Sequence, residues 1–291
     1  MPPNISGLSQ LQIRNFFEGN PSVTQEKCDE LARHLTGQSV AATACQGGTS
    51  YTVEGGQVVV QFRDPHSPLN TDFLQIIEQT YRGFTPQHHY QGQLGEVMVY
   101  KMNNRRFFVS AYHNTPAQMI RPDRAQLFDK YSSQLQQLRK GLPERFHGKL
   151  DDIIPQLPDL FAEDWPLVPN HTDLLENNIH VNPTTGKIVG ICDWGGAEIS
   201  PFGMSLAGLE TMLGIRITSG DFWRHHPNHQ ELRDLFWTRF YYYMGGASDE
   251  QKRRIRVARE VGLFLENGFE YDKPATEESM ELRILGAILL K

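Results

Sequence analysis

The spacing of hydrophobic residues divides the chain into a helical start, a strand-rich part and a long helical end. Apolar residues recur at helical spacing from Ser9 to Leu35, with a break at Asn20-Pro21-Ser22, and this pattern predicts two helices. From Ser39 to Arg63 the apolar and polar residues alternate, as in β-strands, with turns at Gly47-Gly48 and Gly55-Gly56. The start of the chain is therefore predicted as a helix pair followed by three strands.

The pattern past Arg63 predicts a mixed segment before the helical end. Helical spacing returns from Asp72 to Tyr81, and two strands are predicted at Glu96–Met102 and Arg106–Val109. Residues Pro122 to Leu138 read as a long amphipathic helix. The proline-containing stretch from Pro143 to Pro166 is predicted as an extended connection. Further helices are predicted at Leu206–Leu213, Gln230–Tyr243, Glu250–Asn267 and Glu277–Leu290.

Composition and charge exclude several classes of protein. The 291 residues are 39% hydrophobic and 21% charged, which is typical of a soluble globular protein. A net charge of -6 argues against a nucleic-acid or acidic-membrane partner. The chain begins without a basic and apolar leader, and no apolar stretch is long enough to span a membrane, so we expect a cytoplasmic protein.

Cysteine and histidine usage gives no sign of a metal cage. The three cysteines form no C-x-x-C pair, which argues against a zinc site or a disulfide scaffold. His225, His226 and His229 lie close together in sequence, but no acid accompanies them at ligand spacing. We interpret them as polar residues of an irregular loop.

The strongest chemical signal lies between Asn170 and Gly203. His171-Thr172-Asp173-Leu174 and then Asn178 have the H-x-D-L-x-x-x-N spacing of a phosphotransferase catalytic loop. In such a loop the Asp orients a hydroxyl and the Asn holds a metal. A second acid, Asp193, follows Asp173 by twenty residues.

The residues between Asn178 and Asp193 predict a β-hairpin. Ile179–Val181 and Lys187–Cys192 read as strands, joined by the turn Asn182–Gly186. A hairpin of this length returns the chain to its start, so Asp193 is expected beside Asn178. A carboxylate and a carboxamide oxygen are hard ligands that suit Mg²⁺. An ordinary hairpin with polar turn residues is the alternative explanation for either motif taken alone.

Together these motifs resemble the aminoglycoside phosphotransferase and choline kinase superfamily, whose fold is similar to that of protein kinases. The family pattern continues with I-D-W-x-x-A, which here is Ile191-Cys192-Asp193-Trp194-Gly195-Gly196-Ala197. The resemblance implies an α+β, two-lobed kinase-like fold with a small antiparallel sheet in the N-lobe and a mostly helical C-lobe. It implies that Asp173 is catalytic and that Asn178 and Asp193 are metal ligands.

The resemblance also implies domain boundaries and an ATP site. Residues 1–38 would form an N-terminal helical segment, 39–103 the nucleotide-binding N-lobe, and 104–291 the catalytic and substrate-binding C-lobe. The link that contains Gly47, Gly48 and Ser50 would lie over the ATP phosphates, where small residues permit close backbone approach.

Three further positions complete the expected nucleotide site. Arg63, on the third strand, stands where kinases carry a phosphate-binding lysine, and Gln61 lies on the same face of that strand. The alternative is that Arg63 lies at the end of the strand. Glu78, preferred over Asp72, would pair with that cation from the next helix, although a surface glutamate fits the pattern too. The backbone around Met102 would face adenine at the hinge between the lobes.

The expected function is transfer of the ATP γ-phosphate, with Mg²⁺, to a hydroxyl of a small metabolite or an aminoglycoside-like acceptor. Acids are few around the aromatic stretch Trp223–Tyr243, with Asp221, Glu231 and Asp234 among them, which favours a less charged acceptor. The chain departs from the family pattern at Thr172, at Glu176-Asn177, in the lack of a strand lysine, and after Pro201, where it has Phe202-Gly203-Met204-Ser205 and no acid. These departures leave two alternatives: a catalytically silent binding protein on the same fold, or a kinase fold reused for ATP-independent chemistry.

Overall fold

The computed structural model describes residues 7–43, 46–56, 58–81, 87–103, 110–114, 116, 119–181, 188–216 and 223–290. The chain divides into two compact units. Unit 1 comprises Met1–Phe107 and Ile179–Gly195, and unit 2 comprises Phe108–Asn178 and Gly196–Lys291. None of the helices in the described ranges is long and apolar enough to span a lipid bilayer.

The helices and strands follow in chain order. The described helices are α1 (Gly7–Gly19), α2 (Gln25–Thr36), α3 (Thr71–Thr80), α4 (Ser110–His113), α5 (Arg124–Gly141), α6 (His147–Ile153), α7 (Leu157–Leu160), α8 (Ala207–Met212), α9 (His229–Tyr243), α10 (Asp249–Asn267) and α11 (Met280–Leu289). The described strands are β1 (Ala41–Ala42), β2 (Ser50–Gly55), β3 (Val58–Arg63), β4 (Gln87–Leu94), β5 (Val97–Asn103), β6 (Leu167–Asn170), β7 (Ile179–Val181), β8 (Ile188–Ile191), β9 (Glu198–Pro201), β10 (Gly214–Arg216), β11 (Trp223–His225), β12 (Phe269–Glu270) and β13 (Lys273–Pro274).

An antiparallel sheet with the order β1-β2-β3-β5-β4 forms the body of unit 1 in its described ranges. Helices α1 and α2 cover one face and bury their apolar side chains against β2, β3 and β5. Helix α2 starts at Thr24, whose hydroxyl accepts a hydrogen bond from the backbone of Lys27, and it ends at Gly37 with a φ of 70°. The predicted helix pair and the strands from Tyr51 to Arg63 are confirmed.

Strand β4 was not predicted from the sequence. Its residues, QHHYQGQL, are largely polar, because it is an edge strand with most side chains exposed or half-buried. The predicted strand at residues 106–109 lies outside the described residues.

Unit 2 is mainly helical. Helix α5 buries Tyr131, Leu135 and Leu138, and helix α10 buries apolar residues along most of its length. The predicted extended connection between Pro143 and Pro166 was wrong, because α6 and α7 lie within it. Pro155 and Pro158 stand in the first turn of short helical segments, where the missing backbone N–H costs no hydrogen bond.

The histidine group lies at a strand end and a helix start. His225 ends β11 and His229 begins α9, so the loop between them is shorter than predicted. The imidazole rings of His225 and His229 stack with centroids 4.1 Å apart. In the described ranges, no three side chains of His, Cys, Asp or Glu converge in a metal-binding group.

Candidate functional site

The loop that follows β6 in unit 2 places Asp173 and Asn178 together. The Asn178 amide nitrogen donates to the backbone oxygen of Asp173 at 2.8 Å and to its Oδ2 at 3.2 Å. The backbone N–H of Asp173 donates to Nδ1 of His171 at 3.1 Å, so this ring nitrogen is unprotonated. Asn178 and His171 are buried, whereas Asp173 is exposed. The exposed carboxylate is thus held by Asn178, and the backbone that carries it is held by His171.

Local turns give this loop its compact form. The backbone N–H of Leu175 bonds to the oxygen of Asp173, and that of Asn178 bonds to the oxygen of Leu175, both at 3.0 Å. Thr172, which stands in place of the family's glycine, donates its hydroxyl to the oxygen of Gly196 at 2.9 Å. The threonine therefore ties the loop to the segment before β9.

Helix α8 approaches the same loop very closely. A Cβ atom added to Gly208 would lie 2.2 Å from the backbone oxygen of Leu174 and 2.8 Å from its Cβ. Both are far inside van der Waals contact. A glycine is therefore required at this position of α8, and Leu174 is held directly against the helix backbone.

The roles of two polar residues next to the loop, one buried and one partly buried, were missed from the sequence. Asn170, which is 3% exposed, accepts hydrogen bonds from the backbone N–H and the hydroxyl of Ser205. The hydroxyl of Ser205 in turn accepts from the backbone N–H of His171 at 2.8 Å. A polar residue at a strand end was the available sequence signal, but its partner lies thirty-five residues away.

In unit 1 the predicted hairpin is present as β7 and β8. Ile179 pairs with Ile191 in antiparallel register. The turn Asn182–Gly186 and Lys187 lie outside the described residues. Asp193, two residues after β8 ends, is exposed and has a φ of 60°, a left-handed conformation that is uncommon for residues other than glycine.

The residue after Asp193 anchors this strained position. Trp194 is 3% exposed, and its indole N–H donates to the backbone oxygen of Ile191 at 3.0 Å. Its ring packs against that of Tyr81, at the end of α3, with centroids 5.0 Å apart. The backbone turn that presents Asp193 is therefore braced by a buried aromatic pair. From the sequence, Trp194 was named only as part of the family pattern, and its packing against Tyr81 was not predicted.

Arg63 is the last residue of β3 and lies opposite Ser50 of β2. Its guanidinium donates to the backbone oxygen of Ser67 at 2.8 Å, to the Ser67 hydroxyl at 3.0 Å, and to Gln61 at 3.2 Å. Burial lowers the pKa of Arg63 below its ordinary value, while the nearby Asp193 carboxylate acts in the opposite direction. The structure thus places the predicted cation and Asp193 within electrostatic reach of each other.

Glu78 interacts with a histidine and not with the expected arginine. Its Oε1 accepts from the backbone N–H of His88 at 2.7 Å and lies 3.1 Å from the Nδ1 of the same residue. Arg63 and Glu78, both in the described part of the chain, form no ion pair with each other. Glu78 therefore fastens α3 to β4, the strand that sequence reasoning missed.

The glycine-containing link before β2 is fixed by Gln46. Its side chain accepts from the backbone N–H of Thr52 at 2.9 Å and donates to the Thr52 oxygen at 2.8 Å. These are the two bonds that the backbone of a neighbouring strand would make with Thr52. Gly47 and Gly48 are exposed, and Ser50 is 2% exposed. A Cβ atom on Gly47 would lie 2.8 Å from the Ser50 hydroxyl, so this glycine permits a tight turn.

Met102 lies within the sheet, opposite Val59 of β3 and His88 of β4. Its backbone is flanked by a strand on each side. Its predicted contact with adenine stays a prediction, and the residues that follow β5, 104–109, lie outside the described residues.

The two predicted metal ligands carry oxygen donors that suit a magnesium ion. Asn178 has a carboxamide and Asp193 has a carboxylate, both hard oxygen ligands. Mg²⁺ is usually bound by one or two carboxylates together with substrate phosphates and water. The roles of Asn178 and Asp193 as metal ligands stay predictions.

Comparison with known proteins identifies the family. A family model described as the phosphotransferase enzyme family matches residues 29–240. No curated protein matches the chain.

Solved structures resemble this chain at low sequence identity. A Ralstonia eutropha protein assigned as an aminoglycoside phosphotransferase is 10% identical with a TM-score of 0.51, over 90% of this chain and 94% of that one. A choline/ethanolamine kinase family protein from Mesorhizobium loti is 16% identical with a TM-score of 0.45, over 90% of this chain and 99% of that one. A spectinomycin phosphotransferase in complex with ADP and spectinomycin is 10% identical with a TM-score of 0.46, over 91% of this chain and 94% of that one.

The first of these likenesses is close enough to show the fold, and the predicted α+β kinase-like fold class is confirmed. The predicted resemblance is confirmed as well. Because the family model spans residues 29–240 of 291, the chain belongs to the phosphotransferase enzyme family.

Proposed function

We propose that this protein transfers the γ-phosphate of ATP to a hydroxyl group of a small-molecule acceptor, with Mg²⁺ as cofactor. The observation that carries the proposal is the geometry of Asp173. Its carboxylate is exposed, yet its loop is fixed by the bonds to His171 and Asn178. A held carboxylate that faces solvent is suited to accept a hydrogen bond from an acceptor hydroxyl and then to take its proton.

The other predicted residues receive roles in the same proposal. Asn178 and Asp193 would hold the metal, and the metal would neutralise charge on the transferred phosphate. Arg63, which stays protonated as arginines do, adds positive charge for the nucleotide phosphates. The exposed backbone at Gly47 and Gly48 permits close approach of a phosphate. In this proposal, catalysis comes from positioning and charge neutralisation.

The proposal keeps the predicted domains and acceptor class. Residues 39–103 would form the nucleotide-binding lobe and 104–291 the catalytic lobe, after the helical segment 1–38. The acceptor would be a small metabolite or an aminoglycoside-like compound. Family membership supports a phosphotransferase, and the scarcity of acids around Trp223–Tyr243 favours an acceptor of low positive charge.

The first test is calorimetric binding of ADP with Mg²⁺ and with EDTA. The wild type is expected to bind at least tenfold more tightly with Mg²⁺. Asp193→Asn removes the charge while keeping a residue that tolerates the left-handed backbone, and it should abolish the gain from Mg²⁺. Asp249→Asn, at a fully exposed carboxylate of α10, is the control and should behave as wild type.

The second test separates binding from chemistry. Asp173→Asn should retain ADP binding but lose at least a hundredfold in turnover with any acceptor that the wild type phosphorylates. A wild type that binds no nucleotide would refute the proposal and favour ATP-independent chemistry. Nucleotide binding with no phosphorylated acceptor in a broad screen would favour the silent binding protein.

A further inference from the structure

The candidate catalytic loop rests on a chain of neutral hydrogen bonds, and we propose that Asn170 and Ser205 are positioning residues for Asp173. The inference rests on the proposed function. Neither residue faces the exposed side of the loop, since Asn170 is buried and Ser205 is partly buried. Their effect on the reaction would therefore pass through His171.

Asn170 fixes the base of this chain. Its amide nitrogen lies within 2.9 to 3.2 Å of four oxygens, those of Val168, Ser200, the Ser200 hydroxyl and Pro201. These contacts tie the amide to both β6 and β9. The orientation of the carboxamide is settled by them, because every one of these partners can accept a hydrogen bond.

The oxygen of the same carboxamide is then aimed at Ser205. It accepts from the backbone N–H of Ser205 at 3.1 Å and from its hydroxyl at 2.9 Å. Because the single hydroxyl proton is used on Asn170, the Ser205 oxygen must act as acceptor toward the backbone N–H of His171, 2.8 Å away. The direction of both bonds is thus fixed.

The chain continues from His171 into the reactive part of the loop. Its Nδ1 accepts from the backbone N–H of Asp173, and Asn178 donates to the Asp173 carboxylate. A shift of His171 would be transmitted to Asp173 through a bond of 3.1 Å. Loss of the Ser205 hydroxyl leaves a buried N–H without its acceptor, which is costly and favours movement of the loop.

The test compares Ser205→Ala with a matched control. Ser279→Ala also removes a serine hydroxyl from unit 2, one that takes part in a partly buried bond to the oxygen of Thr276 at 2.8 Å. Ser205→Thr keeps the hydroxyl and is the rescue variant. Ser205→Cys, whose sulfur is a weak acceptor, provides the comparison if Ser205→Ala does not fold.

Amide hydrogen exchange over residues 171–178 is the first readout. Ser205→Ala should raise exchange there at least tenfold, while Ser279→Ala and Ser205→Thr leave it within threefold of wild type. In turnover, Ser205→Ala should lower kcat at least tenfold with less than a threefold change in KM, and Ser205→Thr should restore it. Equal effects of the two alanine variants on either readout would overturn the proposal.

The two proposals can fail separately. Hydrogen exchange needs no nucleotide, so a wild type that binds no ADP would refute the proposed function while the exchange comparison still tests the support of the loop. Conversely, an active wild type with unchanged exchange and kcat in Ser205→Ala would refute the positioning role alone.

Discussion

Replacing Gly208 with alanine tests the close contact between α8 and the candidate catalytic loop. The added methyl group would meet the backbone oxygen of Leu174 at 2.2 Å, and a backbone atom has no rotamer through which to move away. Either α8 or Leu174 must shift, and the residue next to Leu174 is Asp173. We therefore expect a loss of stability together with a loss of activity.

The magnitude follows from two opposing effects. Overpacking a tight site typically costs about 1–3 kcal/mol, and the 2.2 Å contact with backbone puts Gly208→Ala at the upper end. Alanine regains about 1 kcal/mol of helix propensity over glycine. The net loss is about 2 kcal/mol, which lowers the Tm by roughly 4–8 °C for a domain of the size of unit 2.

Gly148→Ala provides the matched control. Gly148 is exposed within α6, and its added Cβ would meet nothing within 4 Å, so the propensity gain should raise stability by about 0.5–1 kcal/mol. Thermal and urea unfolding of both variants measures the difference. If Gly208→Ala proves as stable as wild type while Gly148→Ala is stabilised, α8 does not lie against Leu174 and the reasoning is refuted.

Two further predictions concern buried groups away from the loop. Glu210, 3% exposed, accepts from Arg259 at 2.7 Å and from Arg233 at 2.8 Å, so Glu210→Gln should lower the unfolding free energy in urea by about 3 kcal/mol. The exposed control Glu250→Gln should leave the unfolding free energy close to that of the wild type, because solvent screens its ion pairs. Burial raises the pKa of the Cys28 thiol from 9.0 to about 12. Above pH 9 the Cys28 thiol loses its proton in the unfolded chain but keeps it in the folded chain. The free energy of unfolding should therefore fall by about 1.4 kcal/mol per pH unit. If this free energy falls as steeply with pH in Cys28→Ala as in the wild type, the prediction is contradicted.

The parts of the fold that could be predicted are those set by local patterns. The pair α1 and α2 followed from helical spacing and from the break at Asn20-Pro21-Ser22. Strand β4 did not, because an edge strand exposes most of its side chains and needs no apolar alternation. The helices α6 and α7 were missed because the prolines of this stretch were read as helix breakers, although Pro155 follows α6 and Pro158 stands in the first turn of α7.

The same distinction holds for the candidate site. Asp173 and Asn178 lie five residues apart in one loop, so their spacing alone predicted that they meet. Glu78 pairs with His88 because β4 lies beside α3, and a strand that was not predicted could not supply a predicted partner. Asn170 and Ser205 meet because β6 pairs with β9, a long-range register that no local pattern contains.

Unit 1 is assembled from two pieces of chain that are far apart in synthesis. Residues 179–195 leave the ribosome long after residue 107, yet they supply Trp194, against which Tyr81 packs. A nascent chain that ends before Trp194 has the first piece of unit 1 but not this partner ring. Folding of unit 1 is therefore expected to finish after the first segment of unit 2, residues 108–178, has been made, and a truncated product that stops within that segment should be a ready target for proteolysis.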